Sequence, residues 1–281
     1  MHLPLTRFIM KLVLKSVLFI CAVLLLISFV KFGKKDNIHD TTSKNKMIFA
    51  HRGLPHLAEN SWDSFEQSKV LGFKSIETDV QMSKDHKLLI FHDKNANRLL
   101  GIEKNINELK WSDIQKHNII HNSKATTQKT LSLEELLKES SQFDHIYLDI
   151  KSTNKSIADS LIALLNKYQT YDNVLVADAN ILFLAYLKYH NPKIKTVLEG
   201  FNKGKEWTYY LIPQAVEPNY LASFYSEVDE SHIDFLKKEN LLERKIVYGI
   251  DKYNTQNAIE IGLQHLIVDY HSDVAPLLFK E

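Results

Sequence analysis

Residues 48–93 read IFAHRGLPHLAENSWDSFEQSKVLGFKSIETDVQMSKDHKLLIFHD, and strand-like and helix-like segments alternate within them. A short apolar run at 47–50 predicts a strand, and an amphipathic segment at 61–71 predicts a helix. Residues 75–80 and 88–91 alternate between apolar and polar side chains, which is typical of strands. The stretch therefore predicts a strand, a helix, a second strand and a hairpin strand, which is how an α/β domain begins.

The same alternation continues through the rest of the chain and predicts eight barrel strands. Eight short strands alternating with helices over 47–281 favour a (β/α)₈ TIM barrel, although a doubly wound open sheet has the same alternation. Residues 94–130 exceed the length of a simple βα loop, so they predict a small insertion after the second strand. The predicted strands begin at Met47, Ser75, His145, Val174, Ile194, Gln214, Lys245 and His265.

Five further helices are predicted between these strands. The first has Ser132 as its N-cap and Glu135 three residues later, which is the spacing of a capping box. A capping box pairs two backbone N–H groups that the start of a helix otherwise leaves without partners. The other four helices are predicted over 157–168, 181–189, 233–242 and 255–261.

The composition excludes several classes of protein. A single cysteine excludes a disulfide framework and any zinc or iron–sulfur site built from several cysteines. With 44% hydrophobic and 25% charged residues, the chain has the composition of an ordinary globular protein. The formal net charge of +1 argues against a dedicated nucleic-acid binder, which is usually strongly basic, so no nucleic-acid partner is expected.

The first 46 residues differ from the rest of the chain in charge. They carry eight lysines and arginines against two aspartates, and residues 16–30 contain no charged side chain. Residues 1–30 therefore predict a transmembrane signal-anchor helix, and residues 31–46 a polar linker to the domain at 47–281. Such an anchor would hold the domain at a membrane, on its extracytoplasmic side. The alternative is a cleaved signal peptide and a secreted domain, although only a poor cleavage site follows the apolar run.

Polar side chains gather at the ends of the first strands of the predicted barrel. In a parallel barrel the C-terminal ends of all strands meet at one mouth, where active sites are built. Glu77 and Asp79 lie two residues apart in one strand, so both carboxylates project from the same face. The residues expected at this mouth are His51, Arg52, Glu77, Asp79, His92, Asp93, Asp149 and Lys151.

These residue types point to one kind of chemistry. Three carboxylates at a shared mouth suit a hard divalent cation, which prefers oxygen ligands. Two histidines beside them suit general acid–base catalysis, because the ordinary pKa of histidine lies near working pH. An arginine supplies the planar pair of donors that matches a phosphate group. The combination indicates cleavage of a phosphodiester.

The stretch at 48–93 resembles the glycerophosphodiester phosphodiesterase family of the PLC-like phosphodiesterase superfamily. It contains the family's His-Arg-Gly, Glu-Asn, Glu-x-Asp and His-Asp motifs in order. TLSLEELL at 130–137, YLDIK at 147–151 and GLQHLIVDY at 262–270 resemble later parts of the family, so the resemblance covers nearly all of 47–281. It implies a (β/α)₈ barrel with a small insertion, and metal-dependent hydrolysis of glycerophosphodiesters to an alcohol and glycerol phosphate.

The resemblance also implies a role for each motif residue, one divalent cation (Mg²⁺ or Ca²⁺) and a small-molecule substrate. The implied roles are acid–base catalysis by His51 and His92, metal binding by Glu77, Asp79 and Asp149, phosphate binding by Arg52 and Lys151, and orientation of the site by Glu59 and Asn60.

The sequence departs from the family pattern at two places. Asp149 stands where the family usually has Glu, and 248–251 read Tyr-Gly-Ile-Asp where the family has Trp-Thr-Val-Asn. In the family the second segment lines the alcohol pocket. Two alternatives therefore stay open: a lysophospholipase D-type enzyme acting on lysophospholipids or other phospholipids, and a non-catalytic barrel that binds phosphodiesters.

Overall fold

The computed structural model describes residues 3–29, 46–270 and 274–279. One compact unit comprises 37–206 and 218–281 and contains the whole β-sheet. The other unit contains helix α1 (Leu3–Phe29) and the segment Trp207–Glu217. The predicted linker at 31–46 lies outside the described residues except for Lys46.

The predicted membrane anchor falls on α1. The helix extends over 27 residues, and its first half carries Arg7, Lys11 and Lys15. Within the described ranges, no helix is both long enough and apolar enough to cross a membrane. The prediction of a transmembrane helix over 1–30 therefore gains no support from the structure.

In the described part of the first unit, eleven strands form a nine-stranded sheet and a separate two-stranded ribbon. Eight of the strands run parallel and close into a barrel, in which β1 pairs with both β2 and β11. This closure confirms the predicted (β/α)₈ barrel and excludes the open sheet. The strands are β1 (Met47–His51), β2 (Ser75–Met82), β3 (Leu88–Ile90), β4 (Ile120–His121), β5 (Lys124–Ala125), β6 (His145–Ile150), β7 (Val174–Asp178), β8 (Lys195–Leu198), β9 (Tyr220–Phe224), β10 (Lys245–Ile250) and β11 (His265–Val268).

The barrel consists of β1, β2 and β6 to β11, and helices connect most of its strands. The capping box predicted at Ser132 and Glu135 is present, and each side chain accepts a backbone N–H of the other residue. The side chains of Asn154, Asn180 and Asp229 accept backbone N–H groups at the starts of later helices. The remaining helices are α2 (Trp62–Val70), α3 (Asn97–Leu100), α4 (Trp111–Ile114), α5 (Leu133–Lys138), α6 (Lys155–Tyr168), α7 (Ile181–His190), α8 (Glu230–Lys238), α9 (Thr255–Glu260) and α10 (Ala275–Leu278).

The predicted strand beginning at Gln214 is wrong. Gln214–Val216 is a single 3₁₀ turn, and the sixth barrel strand is β9, which begins at Tyr220. Pro213 and Pro218 enclose the segment, and proline has no N–H to donate to a strand ladder. The chain can therefore join the sheet only after Pro218, where four of the five β9 residues are buried.

A second correction concerns the helix that follows β9. The sequence predicts it over 233–242, but α8 spans Glu230–Lys238. Asp229 accepts the backbone N–H of His232 at 2.9 Å and so fixes the start of the helix three residues earlier.

Apolar side chains fill the interior of the barrel below its mouth. Phe49 and Tyr147 pack edge to face, with ring centroids 5.8 Å apart. Ile246, Val197 and Tyr220 belong to the same cluster and are buried. The candidate catalytic side chains lie above this packed interior, at the C-terminal ends of the strands, as is usual in this fold.

The insertion predicted at 94–130 is present between β3 and α5. It contains α3, α4 and the β4–β5 ribbon, and it has an apolar cluster that includes Leu99, Ile106 and Ile114. Asn122 and Ser123 form the two-residue turn of the ribbon, with φ angles of 48° and 61°. Two successive positive φ angles are the pattern of a tight type I′ hairpin turn.

Candidate active site

The His-Arg-Gly motif forms a sharp turn at the end of β1. Arg52 and Gly53 have φ angles of 52° and 86°, and the Arg52 N–H donates to the carbonyl of Glu77 at 3.1 Å. A Cβ on Gly53 would lie 2.2 Å from the hydroxyl oxygen of Ser64, so no other residue fits without displacement. The turn therefore fixes where His51 and Arg52 enter the mouth of the barrel.

Three carboxylates meet at the ends of β2 and β6. Asp79 is directly opposite Asp149 in the parallel ladder, and Glu77 precedes it by two residues on the same strand. One oxygen from each of Glu77, Asp79 and Asp149 lies within 4.8 Å of the other two. Glu77 and Asp79 are buried, with 4% and 0% of their surface exposed, so they form the floor of the site.

The environment of these carboxylates shifts their pKa values in different directions. Burial, followed by repulsion from Asp79 and Asp149, raises the pKa of Glu77 well above its ordinary value. Burial likewise raises the pKa of Asp149, although Lys151 opposes the shift. Burial also acts on Asp79, but Lys151 and Arg52 outweigh it and lower the pKa of that carboxyl. Asp79 is therefore the group held most firmly as a carboxylate.

Two cations flank the carboxylates. Lys151 Nζ lies 2.8 Å from Asp79 Oδ1 and also contacts Asp149, while Arg52 Nε lies 3.1 Å from Asp79 Oδ2. Burial lowers the pKa of Lys151, but Asp79 and Asp149 outweigh it, so the net direction is upward. Both side chains are therefore positive at the bottom of the mouth, where an anionic group would be bound.

The carboxylate cluster fits a hard divalent cation. All of its donors are oxygens, which magnesium and calcium prefer. Asp79 Oδ1 is buried, and its nearest charged neighbour is Lys151 Nζ at 2.8 Å. A second cluster of Glu59, His92 and Asp93 also brings three donor atoms together. There Arg98 pairs with both carboxylates, which makes that cluster the poorer cation site.

His51 is oriented by a carboxylate from the last barrel strand. Its Nδ1 lies 2.5 Å from Oδ1 of Asp269, and its Nε2 lies 3.8 Å from Oε2 of Glu77. Because a carboxylate only accepts, Nδ1 carries the proton and Nε2 is left to exchange one. The hydrogen bond from His51 lowers the pKa of Asp269. Asp269 was not predicted from the sequence. Its position directly after the last strand, β11, is the feature that could have indicated it.

His92 is held in the same way, by its neighbour in the sequence. Its Nδ1 donates to Asp93 Oδ1 at 2.7 Å. Arg98 in turn donates to Asp93 and, at 2.6 and 2.9 Å, to the two oxygens of Glu59. The hydrogen bonds from Arg98 are the main reason why the pKa of Asp93 is lowered to about 2. Arg98 was not predicted, because nothing in its sequence neighbourhood marks it.

The Glu-Asn motif contacts the cluster from the β1–α2 loop. Asn60 donates to Asp79 Oδ2 at 2.8 Å and accepts the hydroxyl of Thr78 at 2.6 Å. Glu59 lies 3.5 Å from Arg52 Nη1 and binds Arg98 more closely. Asn60 therefore fixes Asp79, and Glu59 links the arginine of the first motif to the insertion.

A cavity of about 340 Å³ opens above these groups. All seven residues predicted as catalytic, phosphate-binding or metal-binding belong to this site, although Asp79 lies beneath the cavity lining. Tyr147 and Glu199 also line the cavity and were not predicted. The Tyr147 hydroxyl donates to Glu199 Oε1 at 2.7 Å. Burial, followed by repulsion from Asp149, raises the pKa of Glu199 to about 7. The remaining wall consists of Phe224, Tyr248, Gly249 and Ile267.

Comparisons with known proteins identify relatives of this chain. The sequence profile of the Glycerophosphoryl diester phosphodiesterase family matches residues 51–272. The chain is 28% identical to a glycerophosphodiester phosphodiesterase of Bacillus altitudinis over 234 residues, which cover 79% of this chain and 94% of that one. It is 24% identical to another from Caldanaerobacter subterraneus over 232 residues, covering 79% and 93%.

A solved structure shows the same fold. It is a phosphodiesterase of Oleispira antarctica in complex with the product sn-glycerol-3-phosphate, with a TM-score of 0.68 and 18% identity. The match covers 80% of this chain and 93% of that chain. The profile match spans most of the chain and includes the residues that converge on the cavity. The chain therefore belongs to the glycerophosphoryl diester phosphodiesterase family and is a phosphoric diester hydrolase.

Proposed function

We propose that the enzyme hydrolyses glycerophosphodiesters to an alcohol and glycerol phosphate in a metal-dependent reaction, with His51 and His92 as its acid–base pair. The observation that carries the proposal is the convergence of two carboxylate-held histidines on one cavity above three carboxylates. The Oleispira antarctica neighbour, which was solved with the product sn-glycerol-3-phosphate, supports the substrate class.

Arg52 and Lys151 bind the phosphate. Both line the cavity and both are already charged, since each pairs with Asp79. Their N–H groups donate to the non-bridging oxygens and stabilise the negative charge that grows there as the substrate reacts. Because Asp79 holds both side chains from below and Asn60 in turn holds Asp79, neither cation has to reorganise when the substrate enters.

The two histidines move the protons. Each has Nδ1 bound to a carboxylate, so Nε2 is the nitrogen available to the substrate. One histidine deprotonates the attacking group, which is water or the neighbouring glycerol hydroxyl. The other protonates the departing alkoxide. Charge therefore does not build up on the attacking oxygen or on the leaving oxygen without a proton-transfer partner.

Glu77, Asp79 and Asp149 would hold a divalent cation, magnesium or calcium. When bound, it would act as a Lewis acid toward the phosphate oxygens. Asp149 reaches less far than the usual Glu, and Lys151 contacts it directly. The three carboxylates nevertheless remain within 4.8 Å of one another, which is close enough to share one ion.

Replacing either histidine tests the acid–base assignment. We expect His51→Ala and His92→Ala to lower kcat by about 10²- to 10⁴-fold on glycerophosphocholine, with unchanged thermal unfolding. His117→Ala is the matched control, because His117 is exposed and lies outside the cavity. Full turnover by either site variant would refute the assignment.

A substrate comparison tests the proposed substrate class against the lysophospholipid alternative. Turnover of glycerophosphocholine and lysophosphatidylcholine is measured with the full chain in magnesium, in calcium and in excess chelator. The proposal predicts faster turnover of the glycerophosphodiester. Turnover of lysophosphatidylcholine alone would instead identify a lysophospholipase D-type enzyme, and absence of both activities would favour the non-catalytic barrel.

A further inference from the structure

A second recess meets the catalytic cavity at its rim. This groove has a volume of about 420 Å³, and it shares His51, Arg52 and Asp269 with the catalytic cavity. A phosphodiester carries two substituents on one phosphorus atom. When the phosphate binds at Arg52, one substituent can enter the catalytic cavity and the other can enter the groove.

The groove has an aliphatic wall and an uncharged polar lip. Leu54 and Leu57 of the β1–α2 loop line it, together with Leu99 and Ile120 of the insertion. Asn122 and Ser123, the two residues of the β4–β5 turn, form the lip and are exposed. Among the described residues, nothing hydrogen-bonds the Ser123 hydroxyl or the Asn122 side-chain oxygen.

Among the described residues that line the groove, no carboxylate is without a partner. Of its lining residues only Glu59 and Asp269 are acidic. Glu59 is bound by Arg98 at 2.6 and 2.9 Å, and Asp269 lies 2.5 Å from His51 Nδ1. A positively charged alcohol such as choline or ethanolamine would therefore meet only carboxylates that already have a partner.

We propose that this groove binds the second alcohol of the diester and selects an uncharged polyol over a cationic amino alcohol. The aliphatic wall packs against the C–H face of such an alcohol, and the lip hydrogen-bonds to its hydroxyl groups. The inference rests on the proposed function, because it takes the phosphate to bind at Arg52.

Three glycerophosphate esters test the selection: those of inositol, choline and methanol. For the full chain we expect kcat/KM on the inositol ester to exceed that on the methyl ester at least tenfold, and the choline ester to show no such gain. Leu57→Trp fills the groove and should reduce the inositol-to-methyl ratio at least fivefold. A ratio near one in the unmodified enzyme would overturn the proposal.

Asn122→Asp tests the charge argument without a change of shape. The new carboxylate should raise the choline-to-inositol ratio of kcat/KM by about fivefold, which is the effect of one exposed ion pair. Asparagine and aspartate both tolerate a positive φ, so the turn is expected to persist. Asn240→Asp is the matched control, because Asn240 is also exposed, has a φ of 55° and lies outside the groove. An equal shift in both variants, or none in Asn122→Asp, would contradict the proposal.

A binding measurement separates this inference from the proposed function. Inositol 1-phosphate and methyl phosphate are titrated into the full chain by calorimetry, with and without Leu57→Trp. We expect at least tenfold tighter binding of the inositol compound, lost in the variant. Tighter binding without hydrolysis of any ester would overturn the proposed function and leave the groove supported. Equal binding of both phosphates would overturn the groove, whatever the enzyme hydrolyses.

Discussion

At the scale of single residues, the site depends on two imidazoles whose Nδ1 atoms are each bound to a carboxylate. Asp269 holds His51, and Asp93 holds His92 with the help of Arg98. In both cases the carboxylate fixes the ring orientation and places the free nitrogen toward the cavity. We therefore propose Asp269 and Arg98 as positioning residues, which act through the histidines.

Asp269→Asn tests this role for the first histidine. The amide keeps the shape of Asp269 but loses the negative charge that holds the Nδ1 proton, so we expect kcat to fall roughly 10- to 100-fold. KM should change far less, because the phosphate contacts proposed for Arg52 and Lys151 remain. Steady-state kinetics on glycerophosphocholine measures both constants. The exposed Asp234→Asn serves as control, and unchanged kcat in Asp269→Asn would contradict the role.

Arg98→Ala is expected to change the pH dependence of stability. The pKa of Asp93 is about 2 in the folded protein, against an ordinary value of 3.8. A lowered carboxyl pKa stabilises the fold above the unfolded-state value, and this stabilisation is lost as pH falls from about 4 to about 2. Without Arg98 the shift shrinks, so the variant should lose less stability over that range.

Urea unfolding at about pH 5 and about pH 3 measures this difference. Arg98→Lys keeps the charge but not the paired geometry, and it should give an intermediate result. An identical loss of stability in the unmodified protein and in Arg98→Ala would show that Arg98 does not set the pKa of Asp93.

The sequence predicts residues that share a strand or a motif, and it fails for partners that are far apart in the chain. Glu77 and Asp79 follow from strand periodicity alone. His51 and Asp269 are separated by 218 positions and meet only because β1 pairs with β11. That pairing depends on barrel closure, which strand patterns cannot distinguish from an open sheet.

At the scale of elements, the turn after β1 determines how the first motif enters the site. Gly53 has a φ of 86°, and Ser64 at the start of α2 lies against it. The Ser64 hydroxyl accepts the Leu54 N–H at 2.6 Å, so strand end, turn and helix start form one connected unit. The glycine is thus required both by its backbone angle and by lack of space.

Gly53→Ala should therefore be costly. A new Cβ at 2.2 Å from the Ser64 hydroxyl oxygen forces the turn to move. We expect a loss of about 2–4 kcal/mol in the free energy of unfolding, together with reduced kcat. Gly204→Ala is the matched control, because its φ is 79° and no atom lies within 4 Å of a new Cβ. The control should lose only about 1 kcal/mol, the cost of the backbone angle alone. Equal losses in urea unfolding would contradict the packing argument.

Element boundaries were predictable where a local signal fixes them. The capping box at Ser132 and Glu135 is such a signal, and α5 begins where it predicts. The sixth strand was misplaced because 214–217 has strand-like composition, while the two flanking prolines prevent it from joining a ladder. The two flanking prolines therefore indicate the start of the sixth strand better than the composition of 214–217 does.

At the scale of the whole molecule, the barrel brings together residues at the ends of β1, β2, β3 and β6 that no single local pattern connects. Their meeting at one mouth gives the carboxylate cluster, the two cations and the two histidines a common cavity. The central claim is that this cavity hydrolyses a glycerophosphodiester with the help of a divalent cation.

The most direct test follows glycerophosphocholine by ³¹P NMR in the presence of the full chain, with magnesium or calcium and then with excess chelator. The account predicts that glycerol phosphate and choline are the products, and that their formation stops when the cation is removed. Formation of phosphocholine and glycerol, or an undiminished rate in chelator, would contradict it.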